Sequence, residues 1–87
     1  MYELRFLDAA LDDLKRLDKG VARRVISRLD WLSVNFELLT PESLTGVLSD
    51  FYKFRVGDYR VIYQTLPEER IIIVHAIGHR RDIYRNG

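Results

Sequence analysis

Basic and hydroxyl-bearing side chains recur through the last third of the chain, in three segments with the composition of strands: 52–56, 59–64 and 78–84. Because successive side chains of a strand point to opposite faces, Lys53 and Arg55 should share one face and Phe54 should lie on the other. A sheet face that carries Lys, Arg, His and Tyr is suited to binding phosphate groups. RNA is therefore the predicted ligand, and RNA cleavage the predicted activity.

The first half of the chain predicts the elements that support these strands. Residues 2–6 alternate between apolar and polar side chains, which indicates a half-buried strand. Asp8 is in a position to cap a following helix, and Gly20 is expected to end it. A second helix should begin between residues 18 and 21. Helical spacing of apolar residues supports both helices, with Leu7, Ala10, Leu11, Leu14 and Leu17 in the first and Val21, Val25, Ile26, Leu29, Leu32 and Phe36 in the second.

The second half predicts a meander of three strands. Residues 37–50 form a loop, in which Leu44, Val47 and Leu48 are expected to be tucked into the core. Gly57 and Asp58 suit a type II′ hairpin turn. Residues 70–77 are almost all apolar and predict a central strand covered on both faces. The chain is therefore predicted to be a single α+β domain, residues 1–87, in the order β-α-α-β-β-β, with a helical hairpin on one face of a small, mainly antiparallel sheet. The other face of the sheet, with Lys53, Arg55 and Arg60, is expected to be open to a ligand.

Charge is distributed unevenly along the 87 residues, although the formal net charge is only +1. Residues 1–50 carry seven Lys or Arg against nine Asp or Glu, whereas residues 51–87 carry seven against four. The chain has no cysteine, which excludes a disulfide framework and thiolate metal ligands. No segment resembles a signal peptide or a membrane span, so the expected location is the cytoplasm, with no membrane partner.

The motifs of the second half resemble those of the RelE branch of the RelE/ParE toxin superfamily. They are the strings YKFR at 52–55, GDYRVIYQ at 57–64 and IGHRRDIY at 77–84. The resemblance implies a RelE-like fold and the toxin role in a type II toxin–antitoxin pair. It further implies an endoribonuclease that acts on messenger RNA in the ribosomal A site and uses no metal or other cofactor. The implied partners are the ribosome, a RelB-like antitoxin, and operator DNA contacted only through the antitoxin.

The resemblance also implies which residues act. The family's catalytic positions fall on Lys53, Arg55, Arg60, Arg80 and Tyr84. Lysine is the family residue at position 55, and arginine does not readily give up a proton, so a role for Arg55 as a base is not expected. The chemistry needs a base for the ribose 2′-hydroxyl, cations for the developing phosphorane charge, and help for the departing 5′-oxygen. Arg60 is assigned to the phosphorane and Arg80 to the phosphate or the leaving oxygen.

Other residues near these motifs are further candidates for contact with RNA or for a place in the core. His79 could transfer a proton or contact phosphate, because an imidazole can do either near neutral pH. Arg81 and Arg85 would contribute to RNA binding together with Lys53 and Arg55. His75 is interpreted as a hydrogen-bonded histidine of the core. The charges of the second helix are interpreted as a solvated face. No metal site is predicted.

Three other functions remain open from the sequence. A ParE-like protein would inhibit gyrase with the same fold and without nuclease chemistry. An inactive toxin remnant would serve only as antitoxin partner or co-repressor. A general RNA-binding domain is less favoured, since the small net charge limits unaided affinity for phosphates.

Overall fold

The computed structural model describes residues 1–83, which form one five-stranded sheet and two helices. The strands are β1 (Glu3–Phe6), β2 (Glu42–Ser43), β3 (Tyr52–Val56), β4 (Tyr59–Leu66) and β5 (Ile71–His79); the helices are α1 (Asp8–Arg16) and α2 (Lys19–Asn35). Single 3₁₀ turns lie at Phe36–Leu38 and Gly46–Leu48. The predicted α+β class and element order are confirmed, and β2 is an additional two-residue strand.

The sheet has the strand order β1-β5-β4-β3-β2. β1 pairs with β5 in parallel, and all other pairs are antiparallel. The predicted meander is formed by β3, β4 and β5. Gly57 has a φ of +58°, whereas Asp58 is not among the residues with positive φ, as a type II′ turn requires. This tight turn fixes the register in which β3 and β4 pair.

The two faces of the β3–β4 hairpin differ as the alternation predicted. Val56, Val61 and Tyr63 are at most 3% exposed and belong to the core, which also receives Val25, Leu29 and Leu32 of α2. Lys53, Arg55 and Arg60 occupy the alternate positions and share the face that points away from this core. The helices therefore cover one face of the sheet and leave the basic residues on the other.

Three details of the predicted helices and loop are wrong. Asp8 is the first residue of α1, and Leu7 occupies the N-cap without a side-chain hydrogen bond. Gly20 lies inside α2, because the break between the helices falls at Leu17 and Asp18, where the backbone is extended. Val47 and Leu48 are 99% and 41% exposed, so the loop does not place them in the core. Their apolar character misled the prediction because exposed apolar side chains are common on protein surfaces.

β5 contains an irregularity that the sequence did not reveal. Ile62 pairs with Ala76 and Tyr63 with Val74, so His75 is the extra residue of a β-bulge. Its ring packs edge-on against Phe51 at 4.9 Å, and its buried Nε2 has no hydrogen-bond partner among residues 1–83. The predicted hydrogen bond is thus missing at this nitrogen. Burial lowers the pKa of His75 below its ordinary value of 6.5.

A side chain of α1 completes the hydrogen bonding of β5. β1 ends at Phe6, opposite Val74, and offers no strand partner further along β5. There the N–H of Ile77 donates to Oδ2 of Asp13 at 2.9 Å. This bond ties α1 to the end of β5 that leads into His79 and Arg80.

Neither helix is long and apolar enough to span a lipid bilayer, which is a finding for residues 1–83 only.

Replacing Asp13 by Ala should lower the free energy of unfolding by about 1–3 kcal/mol, because it leaves a partly buried amide without an acceptor. Urea denaturation measures the loss, and hydrogen exchange should accelerate at the amide of Ile77. Arg16→Ala is the control, since Arg16 only forms an exposed ion pair with Asp13 at 3.3 Å and should cost about 0.5 kcal/mol or less. Equal losses in the two variants would contradict the role given to the hydrogen bond.

The His75→Phe variant should lose less stability on acidification than the wild type. A folded-state pKa below the unfolded value means that the unfolded chain takes up the proton first. The contribution of neutral His75 is therefore present above about pH 6.5 and is lost as the pH falls below it. Melting temperatures at pH 7.5 and pH 5.5 measure the difference, and identical losses in both proteins would refute it.

Candidate nucleic-acid interface

Three basic residues form a row across β3 and β4 on the face away from the helices. Arg55 lies directly opposite Arg60 in the antiparallel register, and Lys53 lies two residues along the same strand. Directly opposed residues place their Cβ atoms roughly 5 Å apart. The structure therefore brings together Lys53, Arg55 and Arg60, which the sequence had placed on one face.

Glu42 of β2 makes ion pairs with two members of this row. Its Oε2 lies 3.0 Å from Nζ of Lys53 and 3.1 Å from Nη2 of Arg55. The hydrogen bonds from Arg55 and Lys53 lower the pKa of this carboxyl below its ordinary value of 4.5. The sequence did not single out Glu42, because β2 has only two residues and its register with β3 is a tertiary property. In this structure a carboxylate occupies the position between two cations where a phosphate would be expected to bind.

Arg60 folds back over the turn between β3 and β4. Its Nη1 donates to the carbonyl oxygens of Gly57 and Tyr59, each at 3.0 Å. The guanidinium is thus held by two backbone dipoles rather than by a carboxylate of the described chain. Such bonds fix its position while leaving its full positive charge.

Arg80 reaches the same turn from the end of β5. Its backbone N–H donates to the backbone carbonyl oxygen of Asp58 at 2.7 Å, and its side-chain Nε lies 3.9 Å from the Asp58 carboxylate. Arg60 and Arg80 therefore both contact the Gly57–Asp58 turn. Arg60 does so from the start of β4, and Arg80 from just beyond the end of β5.

Arg24 of α2 also lies at this turn, and it is exposed, as predicted for the charges of this helix. A Cβ atom placed on Gly57 would lie 3.5 Å from Nη1 of Arg24. Arginines from α2, β4 and the end of β5 thus surround one hairpin turn. The only sequence signal for Arg24 was its helical position, which cannot show what the helix packs against.

His79 points to the opposite face from Arg60. It lies across from Tyr59 in the register, and the two rings pack edge to face at 5.4 Å. Its Nδ1 accepts a hydrogen bond from the backbone N–H of Arg81 at 3.1 Å, so the neutral ring carries its proton on Nε2. Arg81 itself is exposed in the turn that follows β5. Tyr84 and Arg85, the two remaining candidates, lie outside the described residues.

The electrostatics of this surface suit phosphate binding better than proton abstraction. Tyr63 belongs to the core rather than to the row, and burial raises the pKa of its hydroxyl to about 12, so the hydroxyl stays protonated near neutral pH. The Glu42 carboxyl has a lowered pKa, which weakens it as a base. Within residues 1–83, no three His, Asp or Glu side chains come together as a metal site. The row and the turn offer several fixed cations to a phosphodiester, whereas His79 faces away from Arg60.

Comparisons with known proteins agree on the kind of molecule. Residues 4–84 match the family model described as the ParE toxin of the type II toxin–antitoxin system parDE. An Escherichia coli protein provisionally named a RelE-like toxin is 30% identical over 87 residues, which covers 95% of this chain and 90% of the relative. The Mycobacterium tuberculosis toxin–antitoxin complex RelBE2 has a TM-score of 0.81 at 26% identity, covering 91% of this chain and 98% of that one. The isolated E. coli RelE toxin has a TM-score of 0.75 at 25% identity, covering 91% and 84%.

Replacing Glu42 by Gln should strengthen binding of a short single-stranded oligoribonucleotide by about two- to fivefold at low salt, because the carboxylate no longer competes with phosphate for Lys53 and Arg55. Fluorescence anisotropy of a labelled oligonucleotide over a salt series measures the effect. Glu37→Gln is the matched control, since Glu37 pairs with Arg70 and the N-terminus instead. Unchanged affinity in Glu42→Gln would show that phosphate does not use these two cations.

Proposed function

This chain belongs to the RelE/ParE superfamily of toxins of type II toxin–antitoxin systems, and from that premise we propose that it is a ribosome-dependent endoribonuclease. In the proposed reaction the ribose 2′-oxygen attacks the adjacent phosphorus, and the bond from phosphorus to the 5′-oxygen breaks. The products are a 2′,3′-cyclic phosphate and a 5′-hydroxyl. The 2′-hydroxyl loses its proton to a base, and the 5′-oxygen gains one as it leaves.

The observation that supports this proposal best is the gathering of arginines around one hairpin. Arg55 and Arg60 face each other across β3 and β4, and Arg80 contacts the turn that joins these strands. In the proposed mechanism Arg60 stabilises the negative phosphorane, because its two carbonyl bonds already fix its position. The phosphate displaces the Glu42 carboxylate, and Lys53 and Arg55 then hold the flanking phosphate oxygens. Arg80 stabilises the negative charge that develops on the leaving 5′-oxygen.

The ribosome supplies what this small protein lacks. In-line attack requires the RNA backbone to be twisted into one geometry, and holding reactants in such a geometry can contribute several kcal/mol to catalysis. A net charge of +1 gives weak unaided affinity for RNA. Presentation of the messenger by the ribosome solves both problems. His79 is disfavoured for proton transfer at this site, because it faces away from Arg60. Tyr84, the other candidate for that role, lies outside the described residues.

A RelB-like antitoxin is the proposed partner of this toxin. The M. tuberculosis RelBE2 structure is a toxin–antitoxin complex, and this chain aligns with 98% of one chain in it. An antitoxin that covers the β3–β4 hairpin would block the cations listed above and would restrain the toxin until it is removed. Contact with operator DNA would come only through the antitoxin.

Gyrase inhibition is the second candidate function, and one comparison favours it. The matching family model is named for ParE, and gyrase inhibition is the function expected of a ParE-like protein. A gyrase inhibitor would not need the cations of the hairpin to be accessible, and Glu42 pairs with two of them. Trapped gyrase cleavage complexes, formed by a protein that leaves ribosome-bound messenger intact, would favour this function over the nuclease.

Arg60→Ala and Arg80→Ala should each reduce the rate of messenger cleavage on purified, programmed ribosomes by about 10²–10³-fold, the usual effect of losing one group that stabilises transition-state charge. Primer extension on the ribosome-bound messenger locates and quantifies the cuts. Arg5→Ala is the matched control, because Arg5 is an exposed arginine on β1, at the other edge of the same sheet, paired with Glu3 at 2.7 Å.

Two results would overturn different parts of the proposal. Intact messenger with the wild-type protein would refute the nuclease function. Cleavage by the wild type and equally by both variants would retain the function and refute the site. Binding of the antitoxin to each variant, measured by calorimetry, shows that the fold is preserved.

A further inference from the structure

One side of α2 runs beside the edge of β3 and carries residues suited to nucleic acid. Arg24, Arg28 and Trp31 are spaced by four and three residues, so they lie on one side of the helix. Arg24 reaches the Gly57 turn at one end of β3. Arg28 packs over the ring of Phe54, the middle residue of β3, and over the ring of Trp31. These three residues of α2 thus lie along β3, from the Gly57 turn toward the loop that precedes β2.

A groove separates this side of α2 from β2 and β3. Its volume is about 330 Å³, and its walls include Arg28, Trp31 and Phe54, with Lys53, Arg55 and Glu42 among its polar lining. The groove exists because β2 is so short: it pairs only with Tyr52 and Lys53 and leaves the outer edge of β3 open beyond them. The residues of the proposed phosphate site therefore continue directly into the groove.

Flat side chains are layered in this groove. The guanidinium carbon of Arg28 lies 4.6 Å from the centre of the Trp31 ring and 5.7 Å from that of Phe54. Trp31 is nevertheless 40% exposed, so part of its ring is accessible. Aromatic rings and arginine guanidinium planes are the surfaces on which unpaired bases of RNA stack.

We propose that this groove binds one base of the RNA substrate by stacking on Trp31 and Arg28, while an adjacent phosphate lies on Lys53 and Arg55. The inference rests on the proposed function and specifies the substrate-binding part of the site. Charge complementarity supports a nucleotide, because three cations and one carboxylate line the groove. A volume of about 330 Å³ also suits a single small ligand and is at the low end for ligand pockets.

Trp31 is the single tryptophan of the chain, so its fluorescence reports directly on the groove. Titration with a short oligoribonucleotide that carries 2′-O-methyl groups, which prevents cleavage, should quench this emission. Guanosine and adenosine 5′-monophosphates should quench it at higher concentrations, whereas ribose 5-phosphate, which has no base, should not. Quenching by ribose 5-phosphate equal to that by the nucleotides would show that only phosphate is bound, and would overturn the inference.

Variants give an independent test by anisotropy of the same labelled oligonucleotide. Trp31→Ala should weaken binding by roughly five- to hundredfold, the range that corresponds to loss of one stacked base. Trp31→Phe should retain most of the affinity because it keeps an aromatic face. Val34→Ala is the control, since Val34 is a 55% exposed apolar residue of the same helix that does not line the groove. Circular dichroism shows whether each variant is folded.

The outcomes separate this inference from the proposed function. If the wild type cleaves messenger on ribosomes, but RNA does not quench Trp31 and Trp31→Ala binds RNA normally, the groove inference is wrong and the nuclease function stands. If Trp31 is quenched and messenger stays intact, the groove binds bases and the nuclease function is wrong. Trp31 emission that is unchanged by RNA and nucleotides but changes when an antitoxin peptide is added would identify a protein-binding site. That result would overturn the inference.

Discussion

The antiparallel register of β3 and β4 is the constraint on which the candidate site depends. The Gly57–Asp58 turn sets this register, because only a glycine readily adopts the φ of +58° found at its first position. A shift of β3 by one residue along β4 would carry Lys53 and Arg55 into the core face and expose Val56. Burial of the apolar face thus also determines where the cations lie.

This arrangement has an electrostatic cost, because Arg55 and Arg60 are like charges directly opposite each other. The protein offsets that cost with its own acceptors. Glu42 pairs with Lys53 and Arg55, the carbonyl groups of the turn bind Arg60, and Asp58 lies near Arg80. The oxygens of a phosphodiester could replace these acceptors one by one. The positions of the acceptors in the free protein therefore indicate where the oxygens of the proposed ligand would bind.

The helices do more than cover the core. Asp13 of α1 fixes the end of β5 that leads to Arg80, and Arg24 of α2 lies at the turn that Arg60 and Arg80 contact. The exposed part of α2 continues this basic surface past Arg28 to Trp31. The proposed phosphate site and the proposed base-binding groove are therefore neighbouring parts of one surface, built around the open edge of β3.

The sequence by itself determined the α+β class, the element order and the shared face of Lys53, Arg55 and Arg60, because helix and strand periodicities are local properties of the chain. Only the tertiary structure decided that Glu42 pairs with two of these cations, that Arg24 and Arg80 meet at the Gly57 turn, and that His79 faces away from Arg60. The bulge at His75 and the exposure of Val47 were equally unpredictable. Each depends on which distant segments pack together, and that choice is made by the whole core rather than by the residues concerned.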